Sequence, residues 1–258
     1  MQLTEFEHHI LDHLLKASPP GKHACRSAKR HLERAWILAT DMPELAIFSG
    51  ITAEEESATA LFHVLKKRRY QGADRLDAKS HVHKIALHPF LSAVGKLVSP
   101  GIASMNPQFV FDAEHSPKDK ELLRLRLDVQ NPTEGISWGY PLPPLNFTVT
   151  VDGVISDFEQ ELASLASENN AKSIFEFVKY LANVRNQALY ASPNGVPHVE
   201  NDVIPFLIDR KSVVFSHFIA FLLIDPYREQ QPFVQHALNA FLQMLKRAPR
   251  DEFQCRLW

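Results

Sequence analysis

The stretch "PELAIFSGITAEEESATALFHVLKKRRY", residues 43–70, decides the fold. Pro43 suits the first turn of a helix, and the basic cluster at its end complements a helix C-terminus. Seams traced at alternating spacings of three and four run Phe48, Ile51, Glu55, Ala58, Phe62, Leu65 and Ile47, Gly50, Glu54, Ser57, Leu61, Val64. Glu54 and Glu55 therefore fall inside the apolar stripe, while Glu56 sits on a more polar line with Thr52 and His63. Gly50, Ala53, Ser57, Ala58 and Ala60 imply close approach by another helix. Two carboxylates at such a contact need cationic partners, a metal or a raised pKa, because leaving them charged and unpaired costs several kcal/mol each.

Partners are expected from the next helix, which folds back through "QGAD" and offers Arg75, Lys79, His81, His83, Lys84 and His88. His81, Lys84 and His88 recur at three and four, so a line of cations can meet the carboxylates. That helix, "DAKSHVHKIALHPFLSAVGKLV", is expected to bend at Pro89 and to stop at "SPG", 99–101. Upstream, "RSAKRHLERAWILAT" also reads as helix.

Between about 107 and 152 the period changes to two. "QFVFDAE", "LLRLRLDV" and "LNFTVTV" alternate, with a Pro-rich loop "YPLPPL" between the last two. Leu123, Leu125 and Leu127 share one face and Arg124 and Arg126 the other, so a half-exposed antiparallel sheet is expected, and Asp152-Gly153 as a turn after it. Helix resumes after "SDFE", read as a capping box from Ser156 to Glu159. "AKSIFEFVKYLANVRNQALYA", "NDVIPFLIDRKSVVFSHFIAFLLI" and "PFVQHALNAFLQMLKRA" complete the set. The expected fold is mainly α, a helical bundle with a small antiparallel β insertion. Its parts are an N-terminal helical part (1–100), the β insertion (101–154) and a C-terminal helical part (155–258) packed with the first.

The chain of 258 residues has 28 basic and 30 acidic residues, a formal charge of -2, so no uniform field for nucleic acid exists, although a local basic patch is compatible with it. The two cysteines, Cys25 and Cys255, form no metal or disulfide framework, and the apolar run at 213–224 is too short to span a bilayer. A cytoplasmic protein with no membrane segment is expected. "EFEHH" contains a Glu5-x-x-His8 pair of the kind found in helical di-iron proteins, but no matching second pair lies on a core face, so no metal and no cofactor is expected. "KKRRY", 66–70, reads either as a contact for RNA phosphates or as a solvated helix end.

"AIFSGITAEEESATALF" followed by "KSHVHKIAL" resembles the HEPN superfamily of helical domains, and within it the AbiV-like abortive-infection group, where a Glu-Glu helix precedes a His-x-x-Lys helix. The likeness covers roughly residues 30–98 and falls on Glu54, Glu55, His81 and Lys84. It implies an RNA-directed effector in defence or stress response, a homodimer, and metal-independent endoribonuclease chemistry by an Arg and a His separated by four to six residues. That spacing occurs at Arg26–His31, Arg75–His81 and Arg210–His217, about as often as chance predicts for a chain with 13 histidines. Arg75 and His81 are preferred as catalytic because they lie opposite the glutamates, with Glu54, Glu55, Lys84, Arg185 and Asn186 as a supporting network. Arg185-Asn186 resembles the start of the nuclease motif, but Ala191 stands where its histidine would be. The alternative is a non-catalytic interaction or regulatory module, its Glu/His/Lys network buried and its partner bound through the Arg124/Arg126 face of the β insertion.

Overall fold

The computed structural model of the chain describes residues 1–114, 120–131, 135–146, 149–151, 154–156, 158–191, 195–199 and 202–247. Its organising element is α3 (Pro43–Lys67), which starts with proline in the first turn and ends on Lys66 and Lys67. It is packed by α2 (Gly21–Leu38), α4 (His81–Ile102), α6 (Glu168–Leu189) and α7 (Ile204–Ile224). A helix with four helical neighbours must be apolar or small nearly all round, and Ala46, Ile51, Ala53, Ala58 and Ala60 are fully buried. At Gly50 a β-carbon would stand 3.2 Å from Leu207 and 3.4 Å from the Arg210 side chain, so α7 seats directly on the α3 backbone.

The hairpin from α3 to α4 turns at Gly72, whose φ of 80° is left-handed and disfavours a β-carbon. A short 3-10 turn, Ala73–Arg75, follows, and Ser80 then caps α4 by accepting from the His83 N–H. The expected stop at "SPG" does not occur, because α4 runs through Pro89 and Pro100 to Ile102. Proline removes one hydrogen bond from a helix, but its fixed φ is helical, and packing of Phe90, Val94 and Val98 in the core holds the segment together. The remaining helices are α1 (Glu5–Lys16), capped by a Thr4/Glu7 box, α5 (Glu159–Ser164) and α8 (Pro232–Leu245). No helix among the described residues is long and apolar enough to cross a membrane.

The sheet is antiparallel in the order β1 (Gln108–Asp112), β2 (Leu122–Asn131), β3 (Gly135–Gly139). The expected third strand over 145–151 is thereby replaced. Prolines at 141, 143 and 144 cannot donate to a ladder, so the chain leaves the sheet there. Val149–Val151 (β4) pairs instead with Val154–Ser156 (β5) in a separate hairpin, and the Asp152-Gly153 turn lies outside the described residues. Ser156 thus belongs to a strand rather than a capping box, and α5 begins after Phe158, whose φ is 63°. The open polar face is also corrected. Leu123 and Leu125 are buried on one side, where Phe111 stacks on His13 of α1 at 4.4 Å, yet Arg124 on the other side is only 1% exposed. Gln231, fully buried, ties the proline loop to the core: its Oε1 accepts from the Leu145 N–H at 2.7 Å and its Nε2 donates to Leu223 O at 2.8 Å.

This packing predicts opposite outcomes for two glycines. Gly50→Leu is expected to lower unfolding free energy by about 1–3 kcal/mol, because α7 has no room to retreat. Gly95→Ala, on an exposed turn of α4 with open space around it, is expected to raise it by about 0.5–1 kcal/mol. Urea denaturation of both checks the pair, and equal effects would contradict the α3–α7 contact.

Candidate functional site

Glu54 and Glu55 are adjacent in sequence, so their side chains leave α3 about 100° apart and meet different helices. Glu54 is fully buried and ion-paired to Arg210 of α7, which is itself buried and also pairs with the exposed Asp209. The Arg210 guanidinium lies 5.2 Å from the Phe206 ring. Burial pushes the Glu54 carboxyl up to about 7, and the Arg210 charge opposes that shift. Glu54 Oε1 and Arg210 Nε have no hydrogen-bond partner among the described residues. The expectation that both glutamates meet α4 therefore holds for Glu55 alone; the Glu54 partner comes from 156 residues downstream.

One turn along α3, the buried Ser57 hydroxyl donates to Glu54 O at 2.7 Å and so accepts from His217 Nδ1 at 2.8 Å. This fixes the tautomer and leaves Nε2 as a bare acceptor in the core, without a partner. Burial, aided by the charges of His88 and Arg210, pushes His217 down to about 3. The Arg210–His217 spacing noted in the sequence is thus realised, but sealed inside the bundle.

Glu55 opens the other way. Its two carboxylate oxygens lie 2.7 and 2.8 Å from His81 Nδ1, and Lys84 Nζ stands 2.8 Å from Oε2. Burial raises the Glu55 carboxyl, but His81 and Lys84 outweigh it and hold the group below its ordinary value. Lys84 is buried, whereas half of the His81 side chain is exposed. A carboxylate on Nδ1 selects the tautomer with a proton there and leaves Nε2 as an outward-facing base. Nε2 has no hydrogen-bond partner among the described residues.

The other expected residues are scattered. Arg75 is exposed at the end of the 3-10 turn and makes no ion pair among the described residues. Arg185 lies on α6 with its guanidinium 5.4 Å from the Phe48 ring, and Asn186 is exposed. His83 accepts from the Asp77 N–H at 3.1 Å, and the ring of half-buried His88 stands 6.4 Å from that of His217. Glu5 and His8 are exposed on α1, and no cluster of three metal-ligating side chains exists among the described residues. Most of "KKRR" is committed internally: Lys66 donates to Leu76 O, while Lys67 and Arg68 pair with buried Asp225.

A basic surface not expected from the sequence lies on α2. His23, Arg26, Ser27, Arg30, His31 and Arg34 form one stripe, recurring at three and four. Arg26, Arg30 and Arg34 are exposed and unpaired among the described residues, whereas Lys29 is neutralised by Glu33. Burial, together with the Arg34 charge, holds His31 below its ordinary value. No protein-family model matches the chain, and no curated protein or solved structure compared with it matches either.

Two predictions test the buried half of this network. Arg210→Met strands Glu54 and is expected to cost about 3–5 kcal/mol, while the double variant Glu54→Met/Arg210→Met returns to wild-type stability or above. A double variant as unstable as the single one would contradict the pairing. Separately, His217→Gln reports through pH. A folded-state pKa of about 3 against an unfolded value of 6.5 means that His217 contributes stability above pH 6.5, lost as pH falls toward 3. The wild-type advantage over this variant should therefore shrink by about 1.4 kcal/mol per pH unit across that window. Glu54, with its raised pKa, runs the other way between about 4.5 and 7, but it is present in both proteins and cancels. A pH-independent difference in melting would place His217 in contact with solvent.

Proposed function

We propose that this chain is an RNA-directed effector of the HEPN, AbiV-like kind, acting as a metal-independent endoribonuclease in defence or stress response in the cytoplasm. The observation that carries the reading is the Glu55–His81 pair: an imidazole oriented through Nδ1 by a buried carboxylate, with Nε2 free on a half-exposed side chain. Such a group takes a proton from a neighbouring hydroxyl. On RNA the hydroxyl is the ribose 2′-OH. Its oxygen attacks the adjacent phosphorus, the 5′-oxygen leaves with a proton from a second acid, and a 2′,3′-cyclic phosphate results. Arg75 holds the phosphate as charge develops. In a homodimer the second acid is the imidazolium of the other copy. The unpaired guanidiniums of Arg26, Arg30 and Arg34, spanning about 12 Å of α2, supply the phosphate contacts that a net charge of -2 otherwise denies.

A second reading is favoured by Lys84. It is buried and gives Glu55 a counter-ion whatever His81 does, so the whole Glu54/Glu55/His81/Lys84/Arg210 set can serve only to lock α3 against α4 and α7 in a binding module.

Purified protein incubated with tRNA and total RNA in EDTA separates the two. Cleavage by the wild type, reduced about 100-fold or more in His81→Ala and Arg75→Ala variants that melt normally, is the expected result. Intact RNA with the wild type, together with early melting of His81→Ala, sinks the nuclease reading and leaves the structural one.

A further inference from the structure

The Arg124/Arg126 pair of β2 takes no part in the chemistry above, and its surroundings are electrostatically incomplete. The two residues share a face of the sheet about 7 Å apart along the strand. Opposite them on β1 stand Val110 and Gln108, neither of them acidic. Arg124 is 1% exposed; its Nη2 donates to Tyr140 O at 3.2 Å and its guanidinium lies 5.1 Å from the Tyr140 ring. Arg126 donates through Nη2 to Gln108 Oε1, and its guanidinium lies 4.6 Å from the Trp138 ring. Arg124 Nε, Arg124 Nη1 and Arg126 Nε are buried donors without partners among the described residues. The Tyr227 hydroxyl is also buried and unpartnered, and the Arg124 charge acts on it. No carboxylate pairs with either guanidinium among the described residues, and Asp128, next on the same face, accepts instead from Asn106.

Two neighbouring cations with three idle N–H groups, two of them on a side chain sealed from water, form an arrangement that costs several kcal/mol unless an anion completes it. The aromatic rings lower that cost but accept no hydrogen bond from the idle donors.

We propose that Arg124 and Arg126 form a binding site for a phosphate group. A phosphate monoester or free phosphate carries nearly two negative charges at neutral pH and has several acceptor oxygens, which matches two guanidiniums and their three idle donors. A carboxylate offers one charge and two oxygens, and leaves half of the site unanswered. The side chain of Trp138 is 61% exposed and offers an aromatic face beside the site, so a nucleotide is one source of the phosphate and free phosphate the other. The site stands independently of His81.

The test is thermal melting of the full chain titrated with inorganic phosphate and, separately, adenosine 5′-monophosphate, at constant ionic strength, for wild type, Arg124→Met and Arg126→Met. The wild-type Tm is expected to rise with either anion, and each variant to bind about tenfold more weakly or worse. Without anion, Arg124→Met is expected to be at least as stable as wild type, because it removes a buried charge and costs only the hydrogen bond to Tyr140 O. A larger shift with the nucleotide identifies a nucleotide site, and equal shifts identify free phosphate; either supports the proposal. A wild-type Tm indifferent to both anions overturns it, as do equal shifts in all three proteins. Should Arg124→Met fail to fold, half-buried Arg126→Met decides alone.

Discussion

A carboxylate at the centre of the most enclosed helix is the constraint from which the rest of the architecture follows. With α2, α4, α6 and α7 around α3, Glu54 cannot reach water, and the arrangement that keeps it inside is a cation delivered from a neighbouring helix, together with a carboxyl raised by burial. Arg210 delivers it, and the requirement fixes how α7 lies on α3. The contacts climb together along both helices: Gly50 against Leu207, Glu54 against Arg210, Ser57 against His217, and, at the level of Ala60, Phe221 against Gly21 of α2. The two helices therefore run in the same sense. Hydrophobic contacts alone tolerate a shift of one turn, since one leucine resembles the next. A buried ion pair does not, because a slip would strand both charges.

The neighbouring carboxylate shows how a similar residue comes to hold a partner within reach of solvent. Glu55 turns about 100° away and ends against α4, where one of its partners, Lys84, is buried and the other, His81, is half exposed. The pair Glu54–Arg210 is itself buried, with Asp209 as its link to the surface, whereas Glu55–His81 passes the influence of a buried charge to an imidazole that solvent can touch. Burial is the difference. The same low-polarity surroundings that make Glu54 expensive strengthen the hold of Glu55 on the imidazole and fix its tautomer.

Where the physics is local, the sequence was readable. Proline at the start of α3, its basic end, the apolar seams and the left-handed Gly72 each act within a few residues, and the mainly helical fold with a small antiparallel sheet followed from such signals. Glu55 was legible for the same reason, since its partners lie on the adjoining helix at a spacing of three. The partner of Glu54 was not, because nothing near residue 54 points 156 residues downstream. The only trace was Arg210 and His217, two polar side chains seven apart and so on one face of a mostly apolar helix. β3 escaped because five residues bounded by glycines carry too little alternation to register. Alternation also assigned Arg124 and Arg126 correctly to one face of β2, but alternation reports which residues share a face and not what covers it. On α2, the arginines recur at four, a stripe visible in their mutual spacing and hidden when each is read only for a histidine four to six residues on.

The buried cations then sort by how their charge is answered. Arg210 and Lys84 each face a glutamate on α3, and both belong to the scaffold that holds the bundle together. Arg124 faces a backbone carbonyl and an aromatic ring, on a sheet whose opposite side already supplies the apolar packing through Leu123 and Phe111. A methionine or leucine at position 124 would fill the same space without a charge to satisfy. The carbonyl and the ring of Tyr140 offset part of the cost of an arginine there but supply no counter-charge, which an anion would. Glu54 and Arg124 are thus opposite solutions of one electrostatic problem: the first is closed by the fold itself, and the second is left open for a ligand.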